Sequence, residues 1–465
     1  MAEKSDGTPP AADELTRSLG MMDLVLLAIG TVIGSGIFLV PSVVLRQTGG
    51  QTATAMTVWI VAGILSLLGA LTFAELGAMK PEAGGLYAYI RDAFGPLPAF
   101  LFGWTSFVVI ASGSIATLAV AFGGYASQLV PLGRVGVRLV ALAVIAVTAA
   151  VNVFGTRKGA TLQNWTTGAK VVGLVGLSTA LIIHGDHGVG VVLSTTTATP
   201  PPSLLIGFGA AMIGVLWAYE GWQYVTYSAG ETRDPQRTFP RAITLATAAL
   251  IGVYILANLG YIAALGPEGA AQSEHVAVDA VRSALGRSFA RFVGLLVLVS
   301  IFSAANGIML SSPRMYYAMA RDGVFFKSLA SVSPRFGTPA LAIISTAVWS
   351  AVLAATGSFE QLLTYVVFIG WFFYGLGAMS VFVYRRRQPD LHRPFRVPGY
   401  PVTPLLFVAS AALLVVNTLV TQPGRAVTGV FAVLLGTPAF YLWRARSRPN
   451  PAPPSVTERI DAPRP

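Results

Sequence analysis

Apolar runs long enough to cross a bilayer follow one another from Met22 to Leu442, and this repetition constrains the chain more than any other feature. A membrane helix needs about 20 predominantly apolar residues. Windows of that kind lie at Met22–Leu45, Thr52–Leu76, Pro96–Gln128, Arg138–Phe154, Leu162–Ile183, Leu204–Ser228, Ala242–Leu265, Phe292–Ala320, Ala340–Ala355, Gln361–Val383, Pro404–Val420 and Ala426–Leu442. Twelve spans are therefore expected, with the third and eighth long enough to tilt strongly or extend into water. Only 11% of the 465 residues are charged, 54% are hydrophobic and the mean hydropathy is +0.67. That composition leaves no separate soluble domain. The expected division is a tail over residues 1–20, a twelve-helix domain over 21–445 and a disordered tail over 446–465. Residues 1–20 lack the apolar core and small-residue cleavage site of a removable signal, so the first span is expected to be retained.

A formal charge of +11 raises the question of nucleic acid, but the basic residues sit in the short connections between apolar runs. Of the 31 Lys and Arg residues, twenty-two fall on the side of the termini, seven on the opposite side, and Lys170 and Arg314 lie within spans. The excess predicts cytoplasmic termini and a multi-pass protein of the inner (plasma) membrane, with the bilayer and not nucleic acid as its partner. Cysteine is absent, which excludes thiolate chemistry and a disulfide-linked accessory subunit. The four His residues, 184, 187, 275 and 392, share no metal-ligand spacing, and no constellation suggests an enzyme. No cofactor or metal is expected, and the functional unit is read as a monomer.

Two spans are interrupted. The first carries Gly30 and then Ile33-Gly34-Ser35-Gly36-Ile37 at mid-membrane depth, where each glycine lowers the resistance to leaving helical geometry. Opening the helix there frees backbone N–H groups at the positive end of a half-helix, which suits a carboxylate. Close helix packing through small residues is the competing explanation. The sixth span carries Trp217-Ala218-Tyr219-Glu220-Gly221, and interruptions at corresponding positions of two five-span halves point to a transporter site. Carbonyls freed at the second break suit an ammonium group. Carboxylate and ammonium on one small molecule describe an α-amino acid.

Lys170 is the only lysine inside a span. It is either a built-in cation facing the broken helices, able to replace a coupling ion or carry a proton, or a side chain that snorkels to the interface. Glu220 can counter Lys170, attract a cationic side chain, carry a proton, or bond to the N–H groups of its own break. Glu231, Arg233 and Asp234 fit an ion-paired inner gate or plain topology charge. Between spans seven and eight, Pro267–Leu285 places Glu274, His275 and Asp279 at helical spacing, as in a short helix over an outer entrance. The triple proline in Thr197–Ser203 and the Pro-rich end of the chain cannot build a core.

These motifs resemble the amino acid-polyamine-organocation superfamily, especially its L-type amino acid transporter branch. The likeness runs through Ile33-Gly34-Ser35-Gly36-Ile37-Phe38, Glu75-Leu76-Gly77, Pro81, Gly84-Gly85, Tyr87, Tyr89, Phe94-Gly95-Pro96, Asn306-Gly307, Ser311-Ser312, Arg314 and Arg321-Asp322-Gly323. The resemblance implies an all-α membrane fold with a five-plus-five inverted-repeat core, discontinuous spans one and six, and two extra C-terminal helices. It implies a secondary transporter of amino acids, with the carboxylate at Gly34-Ser35-Gly36 and the amino group at carbonyls around Trp217, Ala218 and Glu220. Trp217 stands at the family's aromatic gate, and Lys170 at a lysine that replaces sodium. Exchange or proton-linked uptake would then be sodium-independent; a carrier of polyamines or other organic cations is the alternative. Glu220 departs from the small residue of animal members, and Ser303-Ala304-Ala305 departs from their span-eight polar pattern.

Overall fold

The computed structural model describes residues 15–188, 190, 204–356, 359–421 and 423–447; the N-terminal tail up to residue 14, the triple-proline segment and the C-terminal tail from 448 lie outside the described residues. The architecture is all-helical. Helix α1 (Met21–Val32) and helix α2 (Gly36–Gln47) meet at a bend of 47°. They are followed by α3 (Thr52–Met79), α4 (Leu86–Phe94) and α5 (Pro96–Thr105), and a wide turn at Ser106–Ile110 joins α5 to α6 (Ala111–Leu129). Next come α7 (Arg134–Val153), α8 (Thr156–His184) and α9 (Leu204–Ala218), and a tightly wound segment over Trp222–Glu231 leads into α10 (Pro235–Gln272). The chain continues through α11 (Val276–Leu285), α12 (Arg287–Ser311), α13 (Pro313–Arg321), α14 (Ala340–Thr356), α15 (Phe359–Arg387), α16 (Val402–Thr421), α17 (Pro423–Leu434) and α18 (Gly436–Ser447).

Among the described residues, nine helices are long and apolar enough to cross a membrane, and ten if the bent α1–α2 pair is one span. The windows at Leu204–Ser228 and Ala340–Ala355 hold shorter helices of 15 and 17 residues. The third and eighth windows are long because each is composite. A π-type turn widens the former, and Pro313, unable to donate an N–H, restarts the latter as α13. Helix α10 likewise runs beyond its window through a kink at Gly266, where φ is 68°.

Helix α3 packs along α10, bringing Trp59 edge-on to Tyr254 with ring centroids 5.5 Å apart. Apolar burial gives little preference between protein and lipid tails, so buried polar contacts and close backbone approaches must fix which helices touch. Glu75, 1% exposed on α3, is one such contact. It accepts hydrogen bonds from Arg385 Nε at 2.9 Å and Nη2 at 2.7 Å and from the Val397 N–H at 2.6 Å. The loop after α15 is thereby pinned to the helix bundle. Nearby, Asp92 of α4 pairs with Lys80 and Arg91, and Arg91 reaches Asp322 after α13 at 2.7 Å. Burial alone would raise the Asp92 carboxyl, but the hydrogen bonds from Lys80 and Arg91 outweigh it and hold the group below the usual carboxylate range.

The short helix expected between spans seven and eight is α11, with the His275 N–H bonded to Ser273 Oγ at 3.1 Å ahead of its first turn. Of the charges after the sixth span, Arg233 and Asp234 are exposed, whereas Glu231 is buried against Arg314. Glu75→Ala should lower the thermal midpoint of the purified protein in detergent by several degrees. Removing one member of a buried ion pair costs about 3 kcal/mol, and an unchanged midpoint would contradict the pinning role.

Candidate functional site

The break between α1 and α2 follows from three residues that do not continue the helix. Ile33 has ψ of 86°, and the Gly34 N–H turns back to Val32 O at 2.8 Å. The carbonyls released by this turn are collected by side chains. Lys170 Nζ of α8, 1% exposed, donates to Gly30 O and to Ile33 O, both at 2.6 Å, and lies 3.4 Å from Ser300 O. Ser300 Oγ lies 2.9 Å from Ile33 O and 3.2 Å from Gly34 O. Lys170 is thus fully inside the helix bundle and does not snorkel. Its span-eight partner is Ser300, one turn before the Ser303 position that sequence patterns single out.

The second break occupies Tyr219–Gly221. Gly221 sits at φ of 135°, and a Cβ there would lie 2.8 Å from the backbone of Thr31, so only glycine fits. Thr31 Oγ1 lies 3.0 Å from Gly221 O, and the Tyr254 hydroxyl lies 2.9 Å from Ala218 O and 3.2 Å from Val32 O. Both hydroxyls tie one break to the other. Gly36 opens α2 so close to the end of α9 that its Cβ would meet Ala218 Cβ at 2.9 Å. The N-terminal, positive end of α2 therefore lies beside the C-terminal, negative end of α9.

A small cavity of about 60 Å³ lies between these two ends. Gly34, Ser35 and Gly36 line it from the first break, and Trp217, Ala218 and Glu220 from the second. Ile33 and Ile37 are fully buried away from its wall, and Lys170 stands behind the first break. Among the described residues, buried polar atoms of the lining that have no hydrogen-bond partner include Ser35 Oγ, Thr117 Oγ1 and Glu220 Oε2. Each such atom costs about 1–3 kcal/mol when left unsatisfied. Their convergence on one cavity marks a place for a polar ligand.

Glu220 does not pair with Lys170, and its carboxylate does not bond to the N–H groups of its own break. Its Oε1 accepts a hydrogen bond from the Tyr374 hydroxyl at 2.8 Å. Gln223 Nε2 donates to that hydroxyl at 2.8 Å, and Gln223 Oε1 takes the Gly221 N–H at 2.9 Å. Tyr374, Ser300, Tyr254 and Thr117 are absent from the sequence-derived set. The signal that could have revealed them is a polar residue on one face of an otherwise apolar span, as with Ser114 and Thr117 three residues apart on α6. No cluster of metal-ligating side chains occurs among the described residues.

A fold of apolar helices with two paired breaks around a small cavity defines the class of membrane carriers. The profile of the amino acid permease family matches residues 19–441, and the chain belongs to that family, within the amino acid-polyamine-organocation superfamily. It is 33% identical to the b(0,+)-type amino acid transporter 1 of Mus musculus over 421 residues, covering 88% of this chain and 84% of the relative. It is 28% identical to the serine/threonine exchanger SteT of Bacillus subtilis (strain 168), covering 93% and 98%. It is 31% identical to the cystine/glutamate transporter of Homo sapiens, covering 94% and 87%. The relatives are transporters and not enzymes, and the chain is a multi-pass membrane protein whose kinship supports amino acid transport.

The glycine contacts separate two classes of substitution. Gly221→Ala should abolish substrate binding, because both its φ and its contact with Thr31 forbid a side chain. Gly34→Ala should retain binding within about threefold, since a Cβ there meets Leu118 at an ordinary 3.5 Å. Equal losses in the two variants, measured by equilibrium binding, would contradict the geometry.

Proposed function

We propose that the chain is a secondary active, alternating-access transporter of α-amino acids across the cytoplasmic membrane. In this reading the twelve windows are twelve spans, both termini are cytoplasmic, and the first ten spans form two inverted five-span repeats followed by two further helices. Residues 1–20 and 446–465 are tails to a single transport domain over 21–445, which works as a monomer. Spans one and six carry the substrate.

The observation that carries this reading is the meeting of opposite helix ends at one cavity with unsatisfied polar walls. The N–H groups of Ser35 and Gly36, with Ser35 Oγ, bind the substrate carboxylate, and Ile33, Gly34 and Ile37 shape that turn. The α-amino group is held by the carbonyls of Trp217 and Ala218, each of which keeps a second lone pair. Trp217 also gates the cavity. Glu220 Oε2 reads the substrate's side chain, and its free lone pairs favour a hydroxyl or a cationic group.

Lys170 supplies the cation that a sodium ion would otherwise provide at Gly30 O and Ile33 O, so transport is sodium-independent. Coupling is by exchange or by protons, and the kinship with an exchanger of Bacillus subtilis supports exchange. Glu220 also keeps a carrier of polyamines or other organic cations as the second reading, since a carboxylate oxygen faces the cavity without a partner.

Purified protein in liposomes should accumulate radiolabelled amino acid against an unlabelled internal pool, equally in sodium and choline media; absence of uptake for every amino acid would overturn the reading. Competition by serine, arginine and putrescine separates the two substrate classes. Lys170→Met should reduce the rate at least about tenfold while the protein remains inserted, and an unchanged rate would remove Lys170 from the mechanism. Glu220→Gln should shift preference from cationic toward neutral substrates, seen as a change in the ratio of their kcat/KM values.

A further inference from the structure

Beyond Lys170, the mechanism above leaves unused a row of buried polar side chains that runs from that lysine to an ion pair outside the cavity lining. On α8 the row comprises Thr156, Gln163, Thr167 and Lys170, whose spacing places them on one face along about 21 Å of helix. Facing them are Ser300, Ser303, Asn306 and Arg314 of α12 and α13. Thr156 is 6% exposed and each of the others is 1% exposed or less. Direct bonds join the middle of the row, and the α8 backbone carries it on from Thr167 to Lys170 and from Asn306, whose Nδ2 also lies 3.3 Å from Gly159 O, to Thr156. Thr167 Oγ1 lies 3.2 Å from Ser303 Oγ, and Gln163 Nε2 donates to both Thr167 at 3.2 Å and Ser303 at 3.3 Å. Asn306 Nδ2 donates to Gln163 Oε1 at 2.9 Å, and Asn306 Oδ1 accepts from Asn152 Nδ2 at 2.9 Å. At the far end Arg314 Nε meets Glu231 Oε2 at 2.6 Å, and Thr156 Oγ1 donates to Glu231 Oε1 at 2.8 Å.

Helix α1 rests directly on this row. A Cβ on Gly30 would lie 1.9 Å from Gln163 Nε2 and 2.3 Å from Thr167 Oγ1, and one on Gly307 would lie 2.6 Å from Thr31 Cγ2. The helix is also tied to the row at both ends. Its last turn gives Gly30 O to Lys170. Ahead of its first turn, the N–H groups of Ser18 and Leu19 reach Glu231 O at 2.9 and 3.0 Å, and within that turn Asp23 binds Arg157 at 2.7 Å. Glu231 therefore holds the lead-in to α1 by its carbonyl and the row by its carboxylate.

We propose that this row couples the first break to the Glu231–Arg314 closure, so that α1 leaves α8 at both ends or at neither. Gln163, Thr167 and Asn306 are positioning residues for transport, acting through Gly30 and Lys170 without touching substrate. The proposal rests on the alternating-access reading for its consequence, although the coupling itself is a property of the fold. Carboxamides are poor proton relays, so the row works by holding geometry and not as a proton wire. Packing alone would not require buried carboxamides and hydroxyls at the α8–α12 interface, where Gln163 and Thr167 meet Ser303 and Asn306 directly beneath α1.

The test uses Gln163→Leu, Glu231→Gln and their combination in full-length protein. Gln163→Leu should lower the maximal amino acid counterflow rate about tenfold while the dissociation constant changes less than about threefold. The double variant should be little slower than either single one, because both break one coupled unit. Multiplied losses, or binding and rate falling together, would overturn the proposal. Hydrogen exchange of the Ser18 and Leu19 amides gives a readout that needs no substrate, and in Gln163→Leu it should accelerate about tenfold; unchanged exchange would overturn the coupling. Absence of counterflow in the unmodified protein would instead defeat the transport reading and leave the exchange result standing. Should Gln163→Leu fail to fold, the near-isosteric Thr167→Val enters the same cycle with smaller effects of the same sign.

Discussion

The amino group of Lys170 beside the carbonyls of Gly30 and Ile33 is the contact on which the rest of the site depends. Opening a helix within a membrane releases backbone groups that no water can satisfy, and each would cost several kcal/mol if left bare. A single buried amino group serves two of the released carbonyls, and the Ser300 hydroxyl lies within reach of Ile33 O and Gly34 O. The arrangement is reciprocal. A lone ammonium in the membrane interior is itself expensive, and the broken helix is what solvates it. The break and the lysine thus each satisfy the other's buried polar groups.

That mutual dependence leaves the other side of the break for a ligand. With the carbonyls drawn toward α8, the N–H groups at the start of α2 face the cavity, where the end of α9 brings the opposite dipole. Gly36 and Gly221 permit the approach. One lets α2 touch Ala218, and the other lets the second break lie on the Thr31 backbone. The proposed recognition of a zwitterion therefore rests on backbone geometry, while side-chain choice falls to residues such as Glu220 and Thr117, whose polar atoms reach the same space. This division is consistent with a family whose relatives bear the names of different amino acids.

Much of the helical layout was legible because apolar run length is a direct record of membrane thickness, and both breaks were legible because glycine and polar residues interrupt those runs. Long-range partners were not. Ser300 reads as an ordinary serine in an apolar helix, and nothing local distinguishes it from Ser303 one turn later. Glu220 was visible as an anomaly, but its partner Tyr374 is 154 residues away and tyrosine is common in buried helices. Glu231 was read in the company of Arg233 and Asp234, although only Glu231 turns inward to a partner on another helix. Spacing identifies which residues share a face; it does not identify what that face meets.

The same limit explains why a buried polar row escapes a reading of single spans. Each member is unremarkable in its own helix: one threonine or glutamine in α8, one serine or asparagine in α12. Only the superposition of the two faces turns them into a continuous contact, with Asn306 bridging Asn152 and Gln163 across three helices. In lipid such a contact has a consequence that it would lack in water. When the helices separate, the exposed carboxamides and hydroxyls find no alternative partner in the hydrocarbon, so intermediate separations are disfavoured and the interface tends to be either closed or rehydrated as a whole. Helix α1 is held to the two ends of this contact, by Gly30 O at Lys170 and by the lead-in N–H groups at Glu231 O, and it is through those two ties that the proposed coupling reaches it.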